Sequence, residues 1–165
     1  MINIKGVMKS LLVMALSFIS FMSCAFKSPP KEAMSSYSYR VGNGYALWAE
    51  CYNAILLKDG SCQLVYGKTH SLAEEEYGDT LIVDASVMKH IEKIYLDNKM
   101  YKLKDRYEPT FFVTDGTSWS ATAVFGTERR TRKVLSTGGY ETWPDNKGLS
   151  AINNYIKSFF PQEEE

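Results

Sequence analysis

The sequence is poor in the residues that most often carry catalysis or bind metals. It contains only two histidines, His70 and His90, and three cysteines among 165 residues. It has no C-x-x-C motif and no close spacing of cysteine with histidine, so a metal site is not expected. The motifs G-x-S-x-G, H-E-x-x-H, G-x-G-x-x-G and the P-loop are also absent. The sequence therefore indicates no catalytic residue and no cofactor.

The sequence also lacks an excess of basic charge. The whole chain has 19 basic and 19 acidic residues, and Met1–Ser23 hold two of the basic ones and no acid. The remaining chain, long enough for one domain, is therefore slightly acidic. Binding to nucleic acid or attraction to an anionic membrane face is not expected, because both interactions depend on a positive surface.

A long apolar run is missing as well. Met1–Lys9 carries two lysines, and the uncharged run Leu11–Met22 that follows has about 12 residues. A helix that spans a bilayer needs roughly 20. A basic start followed by a short apolar run is typical of a secretory signal peptide. Two alternatives remain, an ordinary signal peptide cleaved near Ala25 and an uncleaved anchor.

The end of this run, Phe21-Met22-Ser23-Cys24, resembles the lipobox of bacterial lipoproteins. Phe21 and Ser23 depart from the common Leu and the common Gly or Ala. The resemblance implies cleavage before Cys24, lipid attachment at its thiol, and a place in the cell envelope, in the outer membrane if the cell is Gram-negative. The expected organisation is a signal peptide (1–23), a lipidated tether (24–38), one domain (39–161) and an acidic tail (162–165).

The other two cysteines are expected to be buried, reduced thiols. Asp59-Gly60 between two apolar runs predicts a hairpin with a two-residue turn. That turn would pair Leu57 with Cys62 and put Ile55 and Cys51 on the same face, toward the core, with Cys51 roughly 20 Å from Cys62 at 3.3 Å per residue. A disulfide needs Cα atoms within about 7 Å. A disulfide formed through a bulge near Cys51 is the alternative.

The order of elements predicts an α+β fold. Asp84 or Ser86 can cap a helix that runs to about Asn98, and a second helix is expected over Gly148–Phe160. Between them, Asp115-Gly116 predicts a hairpin whose first strand is Phe111–Thr114. We expect a mostly antiparallel sheet built from hairpins, with both helices packed on one face.

The strand after Asp115-Gly116 alternates strictly. Trp119 and Phe125 fall on its apolar side and Ser120 on its polar side, which is typical of a strand with one buried face. Arg130–Ser136 is expected to return as a strand that ends at Gly138-Gly139. The run from DGTSWSATAVF to GGYETWPDNKGLSAINNYI is similar to a segment of small bacterial proteins, many of them lipoproteins of Bacteroidetes. That resemblance implies a fold and no activity.

Two surfaces are candidates for binding. Tyr140 and Trp143 lie in a glycine-flanked corner, where their rings could stack on sugars or anchor a partner protein. Trp143 could instead simply cover the core. A basic cluster could dock an acidic partner or only protect a sheet edge; it consists of Arg129, Arg130, Arg132 and Lys133. The function expected is a non-catalytic binding or assembly domain for an envelope protein or glycan. A small hydrolase acting on glycan or cell-wall material is the alternative.

Overall fold

One seven-stranded sheet organises the fold. The computed structural model describes residues 27–43, 48–69, 78–110, 113, 115–127 and 130–161. The strands follow the order β4-β3-β2-β1-β6-β7-β5, and neighbours are antiparallel except β5 and β7, which are parallel. The α+β class is confirmed, with a sheet that is mixed. The elements are β1 (Met34–Asn43), β2 (Trp48–Leu56), β3 (Cys62–Thr69), β4 (Asp79–Val83), α1 (Ser86–Asp97), a 3-10 turn (Met100–Lys102), β5 (Arg106–Tyr107), β6 (Ser118–Thr127), β7 (Arg130–Tyr140) and α2 (Gly148–Lys157).

Several predicted features lie outside the described residues. These are the leader with Cys24, the loop that contains His70, and the acidic tail 162–165. The strand predicted at Phe111–Thr114 also lies outside them, apart from Val113, which is not in a strand. No helix in the described ranges is long and apolar enough to cross a membrane.

The domain starts earlier than the sequence predicts. β1 begins at Met34, inside the segment assigned to the tether, and the side chains of Met34 and Tyr37 are each only 1% exposed. Two prolines and four serines in Ala25–Ser38 favour an open tether, but β1 pairs with β6 from Met34 and with β2 from Ser36. Residues 34–38 therefore belong to the domain and not to the predicted tether, because neighbouring strands supply them with hydrogen bonds and burial.

The hairpin of β2 and β3 has a different register from the predicted one. Leu56 is paired with Cys62, and the loop between them is closed by a 2.8 Å bond from the Leu57 amide to the Ser61 carbonyl. The Asp59 carboxylate accepts the Ser61 amide at 2.9 Å, which stabilises this five-residue loop. A loop of odd length shifts the pairing by one residue, and every side chain of one strand then changes face.

The alternation predicted for β6 is confirmed. Trp119, Ala121, Ala123 and Phe125 are buried, while Ser118 and Ser120 are exposed. The predicted break at Gly138-Gly139 is wrong, because both glycines continue β7 and pair with β6 on one side and β5 on the other.

The helices complete the core. The predicted bounds of α1 agree with the structure to within a residue or two, and the Asp84 carboxylate accepts the Ser86 amide at its start, at 2.7 Å. In the core, the Tyr37 hydroxyl donates to Asn153 of α2 at 3.2 Å, and Tyr95 of α1 packs on Phe125. The buried side chains of both helices share one core with those of the sheet; the helix residues are Val87, Met88, Ile91, Tyr95, Leu149, Ile152 and Ile156.

Candidate functional site

The two aromatic residues of the predicted corner do not form one surface. The Tyr140 hydroxyl accepts the Gly116 amide at 2.6 Å, and Tyr140 is paired with Ser118 on the exposed side of β6. Burial raises the pKa of Tyr39, a buried residue of β1 on the other side of the sheet, and the nearby Trp143 indole partly offsets this shift. Trp143 keeps 45% of its surface exposed, so it covers part of the core and still presents a ring to solvent.

The corner is held by Trp119. Its indole nitrogen donates to the Thr142 carbonyl at 2.8 Å, and Glu141 turns the chain with φ of 49°. Gly139 is paired with Trp119, and a Cβ on Gly139 would lie 2.6 Å from the indole nitrogen and 2.5 Å from the Thr142 carbonyl. Glycine at 139 is therefore required for close approach of the indole.

Replacing Gly139 by alanine is expected to destabilise the protein by about 1–3 kcal/mol, the range for overpacking a filled site. Urea unfolding of the variant and the parent protein measures this loss. In a double-mutant cycle, Gly139→Ala should cost less unfolding free energy in a Trp119→Leu background than in the parent protein, because the smaller leucine leaves space for the added methyl group. A Gly139→Ala variant as stable as the parent would contradict the tight contact.

A row of tyrosines lies behind this corner. Tyr39, Tyr52 and Tyr66 are neighbours on β1, β2 and β3, with ring centroids 6.0 and 5.1 Å apart. The Tyr66 hydroxyl donates to Glu50 at 2.9 Å. Burial and then the neighbouring Glu50 carboxylate raise the pKa of Tyr52 well above its usual range. Tyr39 and Tyr52 are less than 10% exposed, so they pack the core and do not offer their rings to a ligand.

The predicted basic cluster is divided between the two sides of β7. Arg132 is exposed and, two residues before Val134, points to the same side as that residue. Lys133 points to the opposite side, where its ammonium donates to the Ser28 carbonyl at 3.5 Å. Arg129 lies outside the described residues, and the side chain of Arg130 is not described either.

The outer face of the sheet carries a feature that the sequence prediction missed. The side of the sheet that bears Ser38, Asn53 and Thr122 lies opposite the buried side chains, and we call it the outer face. One line of paired residues crosses six strands on this face, and it contains four branched aliphatic side chains and no charge. This apolar row consists of Ile82, Gln63, Ile55, Ser36, Val124 and Val134.

Three members of the apolar row are exposed large hydrophobic residues. Ile82 is 60% exposed, Val134 is 50% exposed and Ile55 is 41% exposed. The predicted register placed Ile55 in the core, which concealed the row. The neighbouring line on the outer face is polar except for Val65, and in it the hydroxyls of Thr122 and Ser136 are 3.2 Å apart.

The two remaining cysteines are free thiols, as predicted, but they lie on opposite faces. Cys62 is fully buried in the core, whereas Cys51 is half-buried on the outer face, where it is paired with Gly67 and Arg40. The prediction that they share a face is therefore wrong, because of the shifted register. Burial raises the pKa of both thiols.

The described residues offer little room for a small ligand. A cavity between the sheet, α1 and the 3-10 turn has a volume of about 20 Å³, which is room for about one water molecule. Tyr37, Tyr95 and Met100 line it, and none of its lining residues is acidic. No cluster of three potential metal ligands occurs in the described ranges. His90 is exposed on α1 and packs on the Tyr155 ring at 4.4 Å.

Comparison with protein-family models and with curated proteins gives no match.

Proposed function

We propose that this protein is a lipoprotein of the cell envelope, held by acyl chains on Cys24, whose domain binds another envelope protein without catalysis. The proposed location in the cell envelope is inferred from the leader, which has a basic start, an apolar run and a cysteine at its end. The apolar row is the single observation that supports the binding role.

The proposed surface is open because the helices lie elsewhere. The contacts with the helical segments come from side chains that point away from the outer face. Tyr37 contacts α2, Phe125 contacts α1, and Tyr66 contacts the chain that follows α2. These contacts support a packing in which both helices cover one face and leave the outer face to a partner. Large aliphatic side chains exposed in a line are costly in water, and their burial contributes roughly 25 cal/mol per Å².

The chemistry of the row favours a protein over a glycan. Sugars bind best to exposed aromatic rings, whereas the row presents branched aliphatic chains and hydroxyls. Its lack of charge suits the apolar centre of a protein interface, where charged residues are depleted. The partner would present an apolar patch or an apolar strand.

Site-specific photo-crosslinking in cells tests this proposal. A photoreactive residue at Gln63, between Ile55 and Ile82, should give one discrete adduct with an envelope protein that mass spectrometry identifies. The same residue at Lys89, exposed on α1, should not. The adduct should be lost in an Ile82→Ser/Val134→Ser variant and kept in Leu56→Ser, which changes an apolar residue that is 39% exposed on the other face.

Three results would overturn the proposal. They are the absence of any adduct at Gln63, an adduct unaffected by the double substitution, and an adduct containing only a second copy of this chain or a glycan.

A further inference from the structure

Basic side chains are concentrated along the edge of the sheet formed by β5 and β7. Three described segments meet there, 27–33, 99–107 and 132–137, and Glu32 and Asp105 are their only acids. The chain as a whole has equal numbers of acids and bases, so the excess is local. We call the following eight residues the basic edge: Lys27, Lys31, Lys99, Lys102, Lys104, Arg106, Arg132 and Lys133.

Hydrogen bonds hold these segments together. The Thr137 hydroxyl donates to the Lys104 carbonyl at 2.6 Å, and the Gly138 amide donates to the Asp105 carbonyl at 3.1 Å. Two ion pairs, Lys27 with Asp105 and Arg106 with Glu108, engage part of the charge. Four members of the basic edge are exposed residues: Lys99, Lys102, Lys104 and Arg132.

The chain that precedes β1 begins at this same edge and ends beside β6. The Lys27 ammonium donates to the Leu103 carbonyl at 2.9 Å and to Asp105 at 2.7 Å. The Ser28 carbonyl accepts from Lys133, and the Ala33 carbonyl accepts the Gly126 amide at 2.9 Å. Residues 27–33 are thus attached to the domain at both ends and do not form a free tether.

This attachment limits how far the domain can stand from Cys24. Only three residue steps separate Cys24 from Lys27, and an extended chain spans at most about 3.6 Å per residue, or roughly 11 Å for the three steps. That distance is about one Debye length at 0.1 M salt, so charges on this edge would feel a charged bilayer surface.

We propose that the basic edge binds the anionic phospholipid headgroups around the acyl anchor and so orients the domain on the membrane. This inference rests on lipid attachment at Cys24, and it adds an orientation that the anchor alone does not provide. Basic residues next to a lipid anchor are the usual second membrane signal. With this edge toward the bilayer, β4 at the opposite edge points away, and the outer face stays accessible to a partner.

Protection of the sheet edge explains only part of the pattern. Charged residues on an edge strand discourage pairing with another sheet, which accounts for Arg132 and Lys133. Lys99, Lys102 and Lys104 are not in strands, so edge protection gives no reason for them.

Lysine labelling on vesicles tests the proposal with the native lipoprotein. The protein is extracted from membranes, its intact mass is measured, and it is reconstituted into phosphatidylcholine vesicles with or without phosphatidylglycerol. A water-soluble amine reagent is applied and each lysine is quantified by mass spectrometry. Labelling of Lys99, Lys102 and Lys104 should fall severalfold on the anionic vesicles only, and recover at 1 M salt, where the Debye length is about 3 Å. Exposed lysines elsewhere, Lys58, Lys68 and Lys89, should not change.

A charge-reversal variant provides the matched control. Lys102→Glu/Lys104→Glu/Arg132→Glu should abolish the protection of Lys99, whereas Lys58→Glu/Lys68→Glu/Lys89→Glu, with the same change in net charge, should preserve it.

The outcomes separate the two proposals. An acylated mass with equal labelling on both vesicles overturns the lipid contact and leaves the anchor intact. Protection that needs added envelope proteins overturns the lipid contact in favour of an acidic protein. A mass without acyl groups overturns the anchor, and the orientation with it.

Discussion

Cys24→Ala is expected to abolish incorporation of labelled fatty acid into this protein. The variant should either leave the membrane fraction or accumulate as the unprocessed precursor. Each buried methylene contributes about 0.8 kcal/mol to membrane affinity, and stable anchoring needs more than one chain, so loss of the acylated thiol removes the whole anchor. Fatty-acid labelling of cells followed by immunoprecipitation measures the effect.

Cys51→Ala is the matched control for this experiment. Cys51 is a free thiol, half-buried on the outer face, and its removal should leave the label unchanged. Label that persists in Cys24→Ala would show that the lipobox interpretation is wrong. Normal processing without label in the parent protein would instead favour ordinary secretion with cleavage near Ala25.

Phe125→Ala should lower the free energy of unfolding by about 3–5 kcal/mol. The Phe125 side chain is 0% exposed and packs on Tyr95 with ring centroids 5.4 Å apart. Its loss removes apolar burial and leaves a cavity between β6 and α1, which neighbouring side chains fill only in part. Urea unfolding followed by tryptophan fluorescence or circular dichroism measures the change.

Val124→Ala tests the same strand on its opposite side. Val124 is paired with Ser36 and Val134 on the outer face and is partly exposed. Its replacement should cost no more than about 1 kcal/mol, the range of strand preferences. Equal losses for the two variants would contradict the assignment of faces.

The local elements were predictable because their signals are local. The alternation from Trp119 to Phe125 identifies both faces of β6, since successive side chains of any strand point to opposite sides. The spacing of Val87, Ile91 and Tyr95 likewise identifies the buried side of α1, since helix neighbours recur every three to four residues. These patterns hold whatever the strand or helix packs against.

The candidate surfaces were harder to predict. Tyr140 and Trp143 are close in sequence, but the turn at Glu141 sends them to different sides of the sheet. The apolar row comes from six separate strands, so no window of sequence contains it. A pattern in one strand could identify Val124 at most, and only the pairing of all six shows that the exposed aliphatic side chains lie in line.

By itself the sequence determined the α+β class, the two helices and the buried face of β6, because each depends on composition or on a short period. The tertiary structure decided the start of β1, the register of β2 with β3, the parallel β5 and the separation of Cys51 from Cys62. The pairing register of a hairpin depends on the length of its loop. One residue more or less in the loop moves every side chain of one strand to the opposite face of the sheet. Ile55 therefore lies on the outer face and not in the core, and this reversal created the surface that we propose for binding.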